Sequence, residues 1–425
     1  MSYGNNNRII LNTTTSPSVA FERIDIIDAL RGFALAGIVF THMLENFIAA
    51  PMPVEVTEAL HPNVIDQIAT GITDFFFRGK FFALFSFLFG ISFFIQMDNG
   101  HRRGGYFGWR FLWRLVLLFL IGFVHSMFYR GDILTVYVIL GVFLIPFYNV
   151  KTKWVLAVAA LIFLGLGRYI IFYFTQGNPL FVAEELNPDS PAIASYIAIL
   201  KNGSFSEVAF SNGLQGNLWK AEFQLGVFNR GYLTFAFFLL GFVIGRVGFF
   251  KNFRTEKRFT KRLWLWGLLL MLTSIVGMAG IFATLGPEVE FTTWPPMFGL
   301  TFYDLMNLGM TSIIVGVFVL LYKKKTAGSF LQKFIPYGKM ALTNYVFQSI
   351  VGTFVFFGWG LGYITKVPNS VAFVIAVAMI VTQMWLSKIW LRHFRYGPLE
   401  WIWRSLTFFK RFPFRRSKSA DVASV

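Results

Sequence analysis

The sequence contains no cysteine. Disulfides, thiolate nucleophiles and thiolate-held metals are therefore excluded. Charge is also scarce. Asp, Glu, Lys and Arg make up 14% of the 425 residues, where a soluble domain carries about 25%. Acids are the scarcer sign, with 21 Asp and Glu against 38 Lys and Arg, a formal net charge of +17. Polar/apolar alternation is missing from the apolar runs 81–89 and 115–123, which argues against barrel strands with an aqueous lumen. What is abundant is apolar surface: 56% hydrophobic residues, 54 of them Phe.

Apolar stretches recur along the whole chain, many near the length of about 20 residues that crosses a bilayer as a helix. In lipid every backbone N–H and C=O must be paired internally, so such stretches are helices. We read ten spans: 26–48, 77–97, 111–128, a short one at 133–147, 154–174, 232–249, 263–282, 302–321, 341–357 and 371–390. The expected fold class is all-α, a polytopic transmembrane helix bundle of about ten spans. A polar segment at 1–22 is expected to be disordered and does not resemble a signal peptide. A single transmembrane domain fills 23–409, and a basic cytoplasmic tail fills 410–425, disordered from about 415.

The charge distribution orders the loops. Lys and Arg crowd 98–110, 148–153, 251–262, 322–340 and the segment after 391, whereas 49–76 and 283–300 carry acids and neither Lys nor Arg. Basic loops stay on the cytoplasmic side. This predicts both termini in the cytoplasm of a multi-pass protein of the bacterial inner membrane, with outer loops at 49–76 and 175–229. The excess positive charge serves an anionic lipid surface, and nucleic acid is not an expected partner. The loop 175–229 separates five spans from five and includes a short helical pattern at 190–200. No internal repeat is visible. Gly397-Pro398 followed by the aromatic and basic run 401–410 predicts an amphipathic interfacial C-terminal helix.

A charge within hydrocarbon costs several kcal/mol, about 3 on insertion scales, so embedded polar residues are the functional candidates. An inner group comprises Asp28 and Arg31 on one face, Arg114, Asn344 with Gln348, and Glu400 with Arg404. These could anchor helix ends by snorkelling, or hold the phosphates of an anionic cofactor. An outer group comprises His42, Glu45, His125, Asp132, Asp304 and Asn307. His42 follows Arg31 by eleven residues, which returns it to the same helix face about 16 Å away. Imidazole titrates near neutrality and can serve as a general base, and a packed histidine is the competing reading. His42, His125 and a carboxylate have no ligand-like spacing, so no metal is expected. Arg78 and Lys80, in a Phe-dense stretch, are read as capping acids such as Asp74, with an anionic headgroup or substrate as the alternative.

Several stretches together resemble the bacterial DUF418 family of YeiB-like membrane proteins. They are RIDIIDALRGFALAGI at 23–38, GKFFALFSFLFG at 79–90, GDIL at 131–134, GKMALTNYVFQS at 338–349 and FRYGPLEWIWR at 394–404. The resemblance implies a place in a wider transmembrane acyltransferase superfamily. Its members move acetyl or acyl groups from a cytoplasmic thioester to a hydroxyl or amine. Arg31-Gly32 followed by His42 is similar to the first span of the acyltransferase-3 branch. On that basis His42 is the expected catalytic base, assisted by His125 or Asp132, and Arg31, Arg114, Asn344 and Arg404 are the expected donor contacts. Acyl-CoA is the expected donor substrate, with no tightly bound cofactor. The expected partners are membrane lipids, a small-molecule or glycan acceptor and a second copy of the chain. The alternative is a small-molecule or proton-coupled transporter, with His42 and Asp304 relaying protons; the want of repeats or visibly broken spans weighs against it. A structural or accessory membrane protein is the third reading.

Overall fold

A computed structural model describes residues 24–102, 107–182, 187–285 and 289–416. The expectations for 1–22 and for 417–425 concern residues outside these. Among the described residues the chain is helical and contains no strand; an isolated bridge joins Phe394 to Arg415. The first half comprises α1 (Asp25–Leu44), α2 (Val54–Leu60), α3 (Val64–Ile72), α4 (Lys80–Arg102), α5 (Gly108–Phe128), α6 (Leu134–Leu144), α7 (Thr152–Phe163), α8 (Leu166–Thr175), α9 (Pro191–Asn202), α10 (Phe205–Phe210) and α11 (Gly216–Leu225). The second half comprises α12 (Arg230–Arg246), α13 (Lys257–Phe282), α14 (Trp294–Tyr322), α15 (Lys325–Gln332), α16 (Ile335–Lys339), α17 (Ala341–Phe356), α18 (Asn369–His393) and α19 (Pro398–Phe408).

Six helices are long and apolar enough to cross a membrane, or up to eight if each of two bent pairs is one span. This corrects the count of ten. Pro146 turns the end of α6 into a 3₁₀ segment, Ile145–Asn149, and α17 has 16 residues. Both fall short of the hydrocarbon thickness. The stretch 154–174 is broken where Gly165 takes φ +87°, a conformation that glycine adopts without steric cost; α7 and α8 meet there at 49°. The helices from Phe205 to Leu225 meet α12 at 64°. The premise that no span is broken is therefore also corrected.

The two outer connections are helical rather than irregular. Asn63 caps α3 by accepting from Ile65 N and Asp66 N at 2.9 and 3.2 Å. Ser190 caps α9, and Ser204 with Glu207 forms a capping box on α10. The α9–α11 segment folds back over α1 and α5. Tyr196 donates to Ile48 O at 3.0 Å, and Asn212 donates to Phe128 O at 3.1 Å.

Helix α1 lies at the centre, 72% buried over its apolar window, whereas the corresponding windows of α13 and α18 are 17% and 28% buried. Those peripheral helices display Val276, Trp266, Val374 and Trp385. An apolar exterior of that extent is unfavourable against water and suits hydrocarbon. Small residues bring the inner helices together, as in membrane bundles. A Cβ on Gly241 would stand 1.9 Å from Phe87 O, and one on Gly90 would stand 2.1 Å from Phe238 O; α4 and α12 therefore touch backbone to backbone. The segment after α19 returns to the end of α18. Arg395 N donates to Phe414 O and Arg416 N donates to His393 O, both at 2.9 Å.

Candidate active site

On the base-rich side of the bundle, a cavity of about 1730 Å³ opens between α1, α4, α5, α17 and α19. Its charged lining includes Arg31, Arg110, Arg114, Lys251, Arg254, Lys339 and Arg404, against Asp25, Asp28, Asp98 and Glu400. The acids have partners. Asp28 accepts from Arg31 at 2.7 Å and Asp25 from Lys339 at 3.3 Å. Glu400 caps α17, accepting from Leu342 N at 2.8 Å, Thr343 N at 3.0 Å and Thr343 Oγ1 at 2.5 Å. Burial pushes the Glu400 carboxyl above its ordinary value, against the pull of those hydrogen bonds.

Arg114 and Arg404 have no carboxylate partner among the described residues. The Arg114 guanidinium stacks 4.0 Å from the Trp403 ring, whose Nε1 donates to Arg114 O at 2.9 Å. The Arg404 guanidinium lies 4.7 Å from Phe412 and 5.5 Å from Phe408. Each has a buried Nε with no acceptor, and the two cations are near enough to repel each other. Helix α19 creates this arrangement by laying its aromatic face on α5. Arg31 donates to Ser92 Oγ at 3.0 Å as well as to Asp28.

The deeper wall is apolar, with Ile38, Phe85, Leu88, Phe89, Leu115 and Leu118, and it ends at Ile133, Leu134, Tyr137 and Tyr345. Tyr345 forms a partition. One side lines the cavity, and its ring lies 4.9 Å from His125 and 6.3 Å from His42. Its hydroxyl accepts from Ile133 N at 3.2 Å. Tyr129 packs on the same two histidines, at 4.8 Å from His42 and 6.3 Å from His125.

Behind this partition His125 Nδ1 stands 2.7 Å from Asp132 Oδ1, with both side chains buried. A carboxylate only accepts, so Nδ1 donates in this bond, and in the neutral imidazole the lone pair is then on Nε2. Nε2 has no hydrogen-bond partner, and neither has His42 Nδ1. Asp132 is fixed by three further donors: Leu134 N at 3.1 Å, Thr135 N at 3.0 Å and Thr135 Oγ1 at 2.8 Å. Lys220, brought in by the folded outer connection, is 4.0 Å from Asp132 and donates to Thr135 Oγ1 at 3.3 Å.

The structure thus gathers His42, His125 and Asp132 at one place, and Arg31, Arg114 and Arg404 at another. His42 is not in the cavity lining. Asn344 is not there either; it donates to Ser387 Oγ at 2.9 Å and Tyr337 O at 3.3 Å, and so ties α17 to α16 and α18. Sequence reasoning passed over Lys220, which carries no signal in a mixed loop, and Arg168. Arg168 is a lone charge inside the apolar run 154–174, a signal that was available. It is 1% exposed and bonds Asp304 Oδ2 at 2.5 Å and Thr301 Oγ1 at 2.8 Å.

Residues 244–410 match the family described as "Protein of unknown function (DUF418)". The uncharacterized protein YxaH of Bacillus subtilis (strain 168) is 30% identical over 409 residues, 93% of this chain and 97% of that protein. The uncharacterized protein YeiB of Escherichia coli (strain K12) is 27% identical over 403 residues, 91% of this chain and 96% of its own. An uncharacterized 39.9 kDa protein in the amylase 3' region of Bacillus acidopullulyticus is 26% identical over 418 residues, 95% of this chain and 99% of its own. The chain belongs to the DUF418 family, alongside YeiB and YxaH.

Proposed function

We propose that the chain is a membrane-embedded acyltransferase that passes an acetyl or acyl group from a cytoplasmic CoA thioester to a hydroxyl or amine acceptor. The observation that carries this reading is the juxtaposition of two sites across Tyr345: a basic cavity with two uncompensated arginines, and a buried His125–Asp132 pair with a free Nε2. Arginine holds phosphate oxygens by directed N–H donors, so Arg114, Arg404 and Arg31 receive the anionic end of the donor. The apolar wall receives the acyl arm. His125 removes the acceptor proton while the acceptor oxygen or nitrogen bonds to the thioester carbonyl carbon. The C–S bond then breaks, the sulfur leaves as thiolate, and the proton held by His125 neutralises it as free thiol. Asp132 holds the imidazole tautomer and stabilises the imidazolium, as the buried carboxylate does in related His–Asp pairs. His42 lies beside it and assists.

The reading places the protein in a bacterial inner membrane with both termini cytoplasmic. The base-rich loops support this, and the exposed apolar faces of α13 and α18 suit lipid. The test is thiol release from acetyl-CoA by purified protein in detergent, with an acceptor mixture. Release by the wild type and loss in H125Q supports transfer. Wild-type protein that leaves every acyl-CoA intact sinks it.

A transport reading draws on one observation, the bent pairs. The buried Arg168–Asp304 pair stands at the first break, and charge at a discontinuous span is where transporters bind substrate. Every Arg168 nitrogen is already hydrogen-bonded, so that pair serves as a clamp across the break, and transfer remains the better-supported function.

A further inference from the structure

The outer half of the bundle holds cations that neither the histidine pair nor the clamp uses. Arg78 is committed: Nε donates to Asp74 Oδ1 at 2.6 Å, and NH1 donates to Glu45 Oε1. Arg168 is committed to Asp304. Those two arginines serve Glu45, Asp74 and Asp304, the carboxylates of this region. Lys80 and Arg230 feel those carboxylates through space, Lys80 from Asp74 and Arg230 from Asp304 and Glu45, but neither is in a salt bridge among the described residues. Lys80 is 1% exposed, and its Nζ reaches a backbone carbonyl, Asp74 O, at 3.0 Å, and lies 5.6 Å from the Tyr303 ring centroid. Arg230 opens α12 with its guanidinium 3.4 Å from the Phe82 ring centroid; its carbonyl accepts from Thr234 Oγ1, and its guanidinium forms no hydrogen bond among the described residues. The two cations are near enough to repel each other.

Asn307 is fully buried, and neither of its amide atoms is hydrogen-bonded among the described residues. It faces Gly79, the residue before Lys80. A Cβ built on Gly79 would stand 2.8 Å from Asn307 Oδ1 and 2.9 Å from the Tyr303 hydroxyl. Gly79 has φ +84°, so a side chain there is disfavoured twice, by the backbone and by these polar atoms. Two adjacent cations in a low-dielectric site are costly when no carboxylate pairs with them directly, and so is an unpartnered buried amide. A single oxyanion compensates both cations and gives the amide N–H its acceptor. It accepts charge-assisted hydrogen bonds from the lysine and the arginine, and neutral ones from the amide and the phenol.

We propose that Lys80, Arg230, Tyr303 and Asn307 form an anion site that holds a phosphate group of the acceptor. The acceptor is then a phosphate-bearing molecule and not a neutral sugar. The word acceptor rests on the transfer reading above; the anion site stands without it. The position suits the role. Phe82 O, on the residue whose ring supports Arg230, accepts from the Tyr137 hydroxyl at 3.4 Å, and Tyr137 is part of the wall that ends the donor cavity. An acceptor anchored here would lie across that wall from the donor. The phosphate can come from a lipid headgroup or from a soluble phosphate ester.

The test uses full-length protein in neutral detergent, and in nanodiscs of phosphatidylcholine with and without phosphatidylglycerol. Thermal unfolding is followed while inorganic phosphate or glycerol phosphate is titrated, with no acyl-CoA present. The wild type should be stabilised saturably, and K80Q/R230Q should need at least about tenfold more anion, the worth of one charged contact. N307D places a carboxylate among the cations, so it should fold as stably as the wild type and lose the anion response; this covers the case in which the double variant fails to fold. Stabilisation by phosphatidylglycerol alone identifies a lipid headgroup, and stabilisation by glycerol phosphate in phosphatidylcholine identifies a soluble ester; either supports the site. No anion response in the wild type, or an undiminished one in N307D, overturns it. Anion binding without thiol release would leave the site standing and the transfer reading refuted.

Discussion

Asp132 does two things at once: it caps the start of α6 and it orients His125. The two roles separate experimentally. D132N keeps the size and can accept from Leu134 N, but it no longer stabilises an imidazolium. We expect a rate loss of about 10²-fold or more with the protein still folded, read as thiol release per mole of monodisperse protein. H42A, which removes a ring that packs on Tyr129 and Tyr345, should slow transfer by less than H125Q does and leave folding intact; unchanged turnover would remove His42 from the chemistry. R31A should raise the donor Kd more than it lowers the maximal rate, since Arg31 lies in the cavity and not at the histidines. Equal donor affinity by titration would show that Arg31 serves only its bonds to Asp28 and Ser92. At this scale the sequence was informative wherever a charge interrupted an apolar run, as at Arg31, His42 and Arg114. It was silent where a loop residue is delivered by folding, as with Lys220, and where an exposed-looking polar residue becomes a helix tie, as with Asn344.

The helices themselves were legible because hydrocarbon leaves the backbone no alternative, and all ten apolar stretches are helical. Their straightness was not legible. An apolar run has the same composition whether it crosses in one piece or bends at a glycine, and only the folded chain shows that a Cβ on Gly165 would run into Thr301 Oγ1 and the Tyr169 ring. In the connection 175–229 the helical pattern at 190–200 was legible and is α9 (Pro191–Asn202), whereas short capped helices such as α10 carry little apolar periodicity and were not. Two element-level outcomes follow. G241A places a methyl against the Phe87 carbonyl and should destabilise the α4–α12 contact by about 1–3 kcal/mol, the cost of overpacking, seen as a lower midpoint in detergent unfolding; an unchanged midpoint would mean that the helices separate freely. R168L strands Asp304 in a buried site and should cost about 3–5 kcal/mol. R168L/D304L should recover most of that loss. A transport role would leave the double variant stable and inactive in export, and a clamp role would leave thiol release near normal.

For the whole molecule, the contrast between base-rich and acid-bearing loops and the apolar exterior of α13 and α18 describe one object with two unlike ends. The native chain lacks cysteine, so single-cysteine labelling has no background. On the proposed topology, S206C is modified by a membrane-impermeant maleimide in intact cells, and K261C only after lysis; both positions are exposed in the structure. Labelling of K261C in intact cells would invert the orientation and remove the cytoplasmic donor. The central claim is that the cavity beside Arg114 and Arg404 receives an acyl thioester, and the direct measurement is acyl-CoA binding to purified protein in nanodiscs, wild type against R114Q/R404Q. The account predicts saturable binding that weakens at least about tenfold in the double variant. Binding of equal strength in both, or no binding of any acyl-CoA by the wild type, would contradict it.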